Sequence, residues 1–208
     1  MWPVTYAFSL PTKADKVPAG DDWIHEIKYD GYRMMVIREQ DRVRLISRGG
    51  YDWADRFPLV GAAALKLRQK HFVLDGELVV LDKDGVSDFD ALASPSTTSG
   101  RSSMLSTCWP GDGEDLRAWP LALRKGALAG LLSDPVDGIF IAEYEQGEIG
   151  DVLFRVACNM GLEGIVSKRL DRAYGAGRFK HWLKIKNRAH PAYSRVRDQL
   201  SARVAVEK

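Results

Sequence analysis

Short runs of alternating apolar and polar residues, separated by polar turns, constrain the fold of this chain more than any other feature. Such runs predict β-strands, because successive side chains of a strand point to opposite faces of a sheet. The polar stretch Glu39-Gln40-Asp41 joins two of these runs and predicts a hairpin. Strands are predicted at Trp23–Tyr29, Arg33–Arg38, Arg42–Ser47, His71–Leu81, Gly164–Lys168 and Phe179–Lys186.

Two segments show the apolar spacing of helices instead. Phe57–Gln69 carries Pro58, which is tolerated in a first helical turn. Asp151–Met160 is followed by Gly161, a residue typical of helix C-caps. A short charged helix is also predicted at Ala192–Val204. Because helices and strands mix without a regular alternation, the pattern favours an α+β fold with largely antiparallel sheet.

Length and composition predict a soluble protein of the cytoplasm. The 208 residues suit one domain with a tail, and the formal net charge of +2 neither requires nor excludes nucleic acid. Two cysteines are too few for a disulfide framework, and no segment reaches the ~20 apolar residues of a membrane span. We expect no membrane partner, an extended lead-in at 1–20, one domain at 21–188 and a basic tail at 189–208.

The stretch HEIKYDGYRMMVI places Lys28, Asp30 and Arg33 within six residues around Gly31, in the pattern K-x-D-G-x-R. Alone, this pattern also fits a strand end that carries surface charges. Four further stretches follow it, namely LISRGGYDWADRFP, LDGELVVLD, LEGIVSKR and WLKIKN. In order and spacing the five together resemble the covalent nucleotidyltransferases. Within that group they are most similar to the ATP-dependent DNA ligases, and above all to the bacterial ligases associated with end joining.

The resemblance covers roughly Trp23 to Arg188 and implies both a fold and an activity. The implied fold is the nucleotidyltransferase (ATP-grasp-like) domain, with two packed, mainly antiparallel sheets flanked by helices and ATP in the groove between them. The implied activity is that of an adenylylation domain, in which Lys28 attacks the α-phosphate of ATP and forms lysyl-AMP. The AMP then passes to a 5′-phosphate, so that a DNA nick is sealed in repair.

An attacking lysine must be unprotonated, whereas free lysine has a pKa of about 10.4. Nearby cations and desolvation favour the neutral amine. We expect Arg33, Lys184 and Lys186 to supply that positive field around Lys28 and to stabilise the charge that spreads over the α-phosphate in the transition state. Gly31 has no Cβ, so the backbone can turn tightly beside the nucleotide.

By matching position, the resemblance also implies which residues bind the nucleoside. Glu26, two residues before the motif lysine, is expected to contact the adenine amino group. Glu77 is expected to accept a hydrogen bond from a ribose hydroxyl, and Ile27 is placed among the nucleotide-binding residues. Arg33 and Arg48 are expected to bind ribose or phosphate oxygens.

The phosphate and metal ligands follow from the later motifs. Lys184 and Lys186 are expected to bind the α-phosphate and then to assist transfer. Glu163 is expected to help hold Mg²⁺ (or Mn²⁺), because such ions bind through few carboxylates together with substrate phosphates. For Lys168 and Arg169 two interpretations remain open, a contact with a DNA phosphate or a solvated surface group.

One segment departs from the family pattern. Ala93–Ser106 is rich in Ser and Thr, which is typical of a flexible loop, where the family usually has a strand resembling YAFDLL with an aromatic residue packed on the purine. This chain has SMLSTCWPG, with no aromatic residue before Trp109. One permitted choice of codons for Ser103–Gly111 encodes YAFDLLAW in a shifted frame. We therefore hypothesise that the aberrant segment, residues from about 94 to 111, is frame-shifted.

A second departure concerns the C-terminus. Ligases of this type usually continue into an OB-fold domain that clamps DNA, whereas this chain ends about twenty residues after WLKIKN. We expect no OB-fold domain, and therefore adenylylation and sealing that are impaired in isolation. The expected partners are nicked or broken double-stranded DNA and an end-joining partner protein.

Three other functions remain open at this stage. RNA ligation and guanylyl transfer in mRNA capping share the K-x-D-G pattern. A catalytically impaired remnant would act at most as a nucleotide- or DNA-binding module. A stand-alone piece would need a partner chain that supplies DNA binding.

Overall fold

A computed structural model describes residues 7–94 and 114–194, together with the backbone of residues 103–109. Parts of three predictions lie outside these ranges: the first residues of the lead-in, residues 95–102 and 110–111 of the aberrant segment, and most of the predicted terminal helix. In the described part of the chain, no helix is both long enough and apolar enough to cross a bilayer.

The described residues form two five-stranded sheets, with strand orders β1-β10-β9-β2-β8 and β4-β3-β5-β6-β7. Neighbouring strands are antiparallel except for β1–β10 and β6–β7, which are parallel. The expected α+β fold with two mainly antiparallel sheets is therefore confirmed. The strands are β1 (Ser9–Lys13), β2 (Trp23–Ile27), β3 (Tyr32–Glu39), β4 (Arg42–Ser47), β5 (His71–Leu78), β6 (Ser103–Trp109), β7 (Ile139–Ile141), β8 (Tyr144–Gln146), β9 (Gly164–Arg169) and β10 (Gly177–Lys186).

Helices lie between the strands in sequence: α1 (Pro58–Lys66), α2 (Phe89–Ala93), α3 (Leu121–Leu131) and α4 (Gly150–Asn159). Two of the three predicted helices correspond to α1 and α4, and Gly161 has the positive φ of +72° expected of a C-cap. Helix α1 ends earlier than predicted, because the backbone of Leu67 is already extended. The predicted hairpin is also confirmed, since Glu39 pairs with Arg42 across a two-residue turn.

Six elements correct the sequence-based picture: helices α2 and α3, which were not predicted, and four strands. Ser9–Lys13 of the predicted lead-in forms β1, which pairs with β10 and so belongs to the domain. The loop interpretation is wrong for residues 103–106, because the backbone there is part of β6 and pairs with β5 and β7. The short strands β7 and β8 carry too few residues to show a period. The frame shift stays a hypothesis that resequencing of the gene would test.

Alternation along the strands decides which side chains face the helices and which face the other sheet. On β3 and β5, Met34, Val36 and Leu74 pack with α1 and α3 in the largest apolar cluster. Their neighbours Met35, Ile37 and Val73 pack instead with Phe8, just before β1. On the other sheet, Ile165 and Ile185 pack with Ala157 of α4. The sheets therefore face each other, and helices cover their outer sides.

Candidate active site

A cavity of about 410 Å³ lies between the facing sides of the two sheets. The same alternation places Arg33 and Glu77 on its wall from β3 and β5, and Val166, Lys168 and Lys184 from β9 and β10. The predicted site residues that line it are Glu26, Ile27, Lys28, Arg33, Arg48, Glu77 and Lys184. The structure thus brings together residues that are far apart in the sequence.

Two predicted site residues, Glu163 and Lys186, do not line the cavity but lie behind its cationic end, where Lys28 and Lys186 share the buried Glu163 carboxylate. Nζ of Lys28 contacts Oε2 of Glu163, and Nζ of Lys186 lies 2.6 Å from Oε1. Glu163 is only 3% exposed. Burial alone would raise the pKa of this carboxyl, but the two lysines outweigh it and lower the pKa below its ordinary value. Glu163 is therefore ionised at neutral pH.

Gly164 explains how Glu163 reaches this position. Its φ is +135°, and a Cβ at this residue would lie 2.1 Å from the carbonyl oxygen of Ile185. Only glycine allows this close approach of β9 to β10. The backbone amide of Asn187 also donates to the Glu163 carbonyl oxygen at 2.9 Å. These contacts fix the carboxylate next to Lys186.

The position of Gly31 also requires glycine, because the backbone of β5 lies very close to it. A Cβ there would lie 2.3 Å from the carbonyl oxygen of Leu78. The turn after Lys28 therefore packs directly on the end of β5. Lys28 itself is held by its backbone amide, which donates to the carbonyl oxygen of Gly164 at 2.9 Å.

Lys184 adds a third ammonium to the same end of the cavity. Burial lowers its pKa, and the neighbouring Lys28 and Lys186 lower it further. Glu163 supplies only one negative charge for the three lysines, so this end of the cavity suits an anion such as a phosphate group.

Arg33 is held rigidly by a buried aspartate. Its Nε lies 2.7 Å from Oδ1 of Asp75, and its second terminal nitrogen donates to Oδ2 at 2.8 Å. The Tyr174 hydroxyl donates to the same Oδ2 at 2.7 Å. Burial and the negative Asp75 raise the pKa of that phenol. The two-point contact fixes the plane of the guanidinium on the cavity wall.

Glu77 follows Asp75 on β5 and faces the cavity beside Arg33, with Oε2 at 4.0 Å from a guanidinium nitrogen. Burial raises its pKa to about 7, because Lys28 and Arg33 offset the burial only in part. A carboxyl with this pKa exchanges its proton near neutral pH, and it has free capacity to bind a hydroxyl group.

The opposite wall of the cavity carries Glu26 between two lysines. Nζ of Lys168 contacts Oε2 of Glu26, and Nζ of Lys125 lies 2.5 Å from Oε1. Burial acts to raise the pKa of Glu26, but the two lysines lower it overall. Burial lowers the pKa of Lys168, whose ammonium also lies 4.5 Å from the ring centre of Trp182.

Both interpretations of Lys168 left open by the sequence are wrong. Its side chain is only 2% exposed, so it is neither a solvated surface group nor a contact for DNA phosphate. The alternation of β9 explains this, because Lys168 shares the inward face with Val166 and lies next to the buried Trp182. Arg169 points the other way and pairs with Asp171 at 2.9 Å.

Sequence reasoning missed Lys125, Tyr174 and Asp75 as parts of the site. Asp75 carries a signal, since a charged residue in the apolar run FVLDGELVV needs a buried partner. The signal for Lys125 is weaker: Arg124 and Lys125 interrupt the otherwise apolar segment LALRKGALAGL, which indicates that they have polar partners. Nothing near Tyr174 in the sequence indicates that its hydroxyl reaches Asp75.

Glu163 was also expected to hold a divalent metal. In the ranges that the structure describes, no three His, Cys, Asp or Glu side chains come together as a metal site. Mg²⁺, however, commonly binds through one or two carboxylates together with substrate phosphates. A single buried carboxylate at the cationic end of the cavity fits that mode of binding.

Comparison with known proteins agrees with this geometry. Residues 9–186 match the model of the family described as ATP dependent DNA ligase domain. The chain is 36% identical to the multifunctional non-homologous end joining protein LigD of Pseudomonas aeruginosa, over 88% of this chain and 22% of that protein. It is 35% identical to a probable DNA ligase of Streptomyces coelicolor, over 77% of this chain and 34% of that protein.

Two solved structures are also similar. The ligase domain of LigD from M. tuberculosis has a TM-score of 0.75 and 30% identity, over 86% of this chain and 59% of that one. Mycobacterial DNA ligase D complexed with ATP and MES has a TM-score of 0.73 and 29% identity, over 86% and 60% of the two chains. The chain spans about a fifth of the length of the Pseudomonas aeruginosa LigD protein and about a third of the Streptomyces coelicolor ligase.

Proposed function

The chain belongs to the family of ATP-dependent DNA ligase domains, and on that premise we propose that it is an adenylylation domain whose nucleophile is Lys28. The observation that carries this proposal is that Lys28 and Lys186 both pair with the buried Glu163, with Lys184 close to all three, at one end of a cavity between two sheets. Such a cluster binds a nucleotide phosphate and places an amine next to it.

In the proposed reaction, Nζ of Lys28 attacks the α-phosphorus of ATP. A nitrogen–phosphorus bond forms, the bond from that phosphorus to the bridging oxygen breaks, and pyrophosphate leaves with the electron pair. The ammonium of Lys28, which is 21% exposed, loses one proton to water before the attack and a second as the nitrogen–phosphorus bond forms, because the two lysines keep Glu163 ionised and make it a weak base. Lys184 and Lys186 stabilise the negative charge that builds on the phosphate oxygens.

The other wall residues bind the nucleoside. Arg33 presents a fixed guanidinium to ribose or phosphate oxygens, and the exposed Arg48 adds a second one. Glu77 accepts from a ribose hydroxyl, and Glu26 accepts from the amino group of adenine. Ile27 lies next to these groups on the cavity wall.

Glu163 would hold Mg²⁺ or Mn²⁺ in the loaded enzyme, and Lys28 must then leave this carboxylate. A divalent ion supplies neutralisation of the phosphate charge. In the second half of the proposed reaction, an oxygen of the 5′-phosphate of nicked or broken double-stranded DNA attacks the phosphorus of lysyl-AMP. An oxygen–phosphorus bond forms, the nitrogen–phosphorus bond breaks, and Lys28 leaves as an amine that takes up a proton. The similarity to LigD supports a role in end joining, and we propose that the chain acts in the cytoplasm with a partner protein.

We also propose that ATP binding is weakened by the segment that contains β6. The sequence there has no aromatic residue before Trp109, whereas the resemblance implies one that packs on the purine. Losing such a stacking contact costs about 0.5–1.5 kcal/mol, or a factor of about 2 to 10 in affinity.

Radiolabelled ATP tests the proposed function. We expect α-labelled ATP with magnesium to label the protein and γ-labelled ATP not to label it. Added pyrophosphate should remove the label, and nicked DNA should take it up as AMP on the 5′-phosphate. Labelling from the γ-position, or no labelling of a folded chain that carries no AMP beforehand, would refute the proposal.

A further inference from the structure

Lys125 contacts the wall of the cavity from outside. It lies on α3, in none of the motifs, and its side chain is buried without lining the cavity. Its ammonium contacts two groups that do line it: Oε1 of Glu26 at 2.5 Å, and the carbonyl oxygen of Ala142 at 3.4 Å. One side chain from α3 therefore connects two hydrogen-bond acceptors of the same wall.

The ammonium of Lys125 contacts protein groups and does not line the cavity. A lysine ammonium has three N–H groups. Nζ of Lys125 pairs with the Glu26 carboxylate, donates to the Ala142 carbonyl oxygen and lies 4.6 Å from the ring centre of Tyr144. These three neighbours surround the ammonium, which suits a group that holds its neighbours in place.

Glu26 depends on this contact for its charge and its orientation. Each of its carboxylate oxygens faces one buried lysine, Lys125 on one side and Lys168 on the other. Without Lys125, one oxygen of the Glu26 carboxylate would lose its ion pair, which is costly because this side chain is only 4% exposed. The carboxyl would then bind a proton more readily or rotate towards Lys168.

We propose that Lys125 is a positioning residue that sets the nucleobase selectivity of the cavity, by holding Glu26 as an ionised hydrogen-bond acceptor of fixed orientation. This inference rests on the proposed function, in which Glu26 accepts from the adenine amino group. A carboxylate held in this way favours a base that presents an amino group. It disfavours a base that presents a carbonyl oxygen or a bare C–H at that position.

The test compares two nucleotides that differ only at this group. Purine riboside triphosphate has hydrogen where ATP has the amino group. Dissociation constants for both are measured by calorimetry in the presence of EDTA, so that binding is followed without transfer of AMP to Lys28. The variants are Lys125→Met, Lys125→Arg and, as a control, Lys66→Met, which replaces an exposed lysine at the end of α1.

We expect the parent chain and Lys66→Met to prefer ATP to the same extent. Lys125→Met should lower that preference at least about tenfold, which is the scale of one hydrogen bond to a charged group, while Lys125→Arg keeps most of it. Under turnover conditions, the KM for ATP should rise more than kcat falls. An unchanged preference in a folded Lys125→Met chain would overturn the inference.

If Lys125→Met does not fold, a milder variant tests whether Lys125 sets the preference for ATP. Tyr144 is 43% exposed, so Tyr144→Leu removes only the ring that faces the ammonium. We expect its preference for ATP to fall about threefold, and no change would overturn the inference. If the parent chain bound ATP and purine riboside triphosphate equally well, the inference would also be overturned. A parent that binds selectively but forms no lysyl-AMP would refute only the proposed activity.

Discussion

Replacing Asp75 by asparagine tests whether the wall of the cavity depends on a buried charge. Asp75 is fully buried and accepts from both Arg33 and Tyr174. Asn keeps the size of the side chain but leaves the Arg33 guanidinium without its counter-charge. Breaking a buried ion pair by removing one partner costs about 3–5 kcal/mol. Because Arg33 is 19% exposed and has Glu77 nearby at 4.0 Å, we expect a value near the lower limit, about 3 kcal/mol.

The loss is measured as the change in the free energy of unfolding by urea. Asp84→Asn is the matched control, since that aspartate also pairs with a basic residue, Lys83, but is 66% exposed. Exposed pairs contribute little, so this control should cost less than about 0.5 kcal/mol. If Asp75→Asn cost no more than the control, the Arg33 guanidinium would not depend on Asp75, and the reasoning would be refuted.

Two further predictions concern Glu77 and Gly164. The carboxyl of Glu77 has a pKa of about 7 in the folded chain against an ordinary 4.5, so the folded state keeps a proton that the unfolded state loses as the pH rises between these values. The stability of the parent relative to Glu77→Gln should therefore fall by up to about 3 kcal/mol from pH 4.5 to 7, and a difference that does not vary with pH in urea titrations would contradict this. Gly164→Ala should cost about 3 kcal/mol or more, because the new Cβ would meet a backbone carbonyl at 2.1 Å in a left-handed conformation. Gly126→Ala, in open space on α3, should instead stabilise the chain by about 0.5–1 kcal/mol, and thermal unfolding that ranked the two variants equally would refute the packing argument.

The parts of the fold that were predicted correctly are those whose sequence pattern lies within a few consecutive residues. The hairpin of β3 and β4 shows its period and its turn within a few residues, and the C-terminal end of α4 follows from Gly161. Helix α3 was missed because buried Arg124 and Lys125 break its apolar pattern, and because Pro120 before it offers no side-chain cap. Its charged residues are explained only by partners from other elements.

The candidate site shows the same limit. The motif residues Lys28, Glu163 and Lys186 were predicted together, and the structure places them in contact. The burial of Lys168 was not predicted, because the sequence of β9 alone does not indicate which face of the strand meets the other sheet. The contact between Lys125 and Glu26 joins α3 to β2 and exists only once the sheet and the helix have packed.

The most direct test of the central claim is mass spectrometry of the purified chain after incubation with ATP and magnesium, first on the intact protein and then on its peptides. The account predicts a gain of one AMP, located on Lys28, and no gain in Lys28→Ala. AMP located on another residue would contradict it. So would the absence of AMP from a folded parent chain that carries none beforehand.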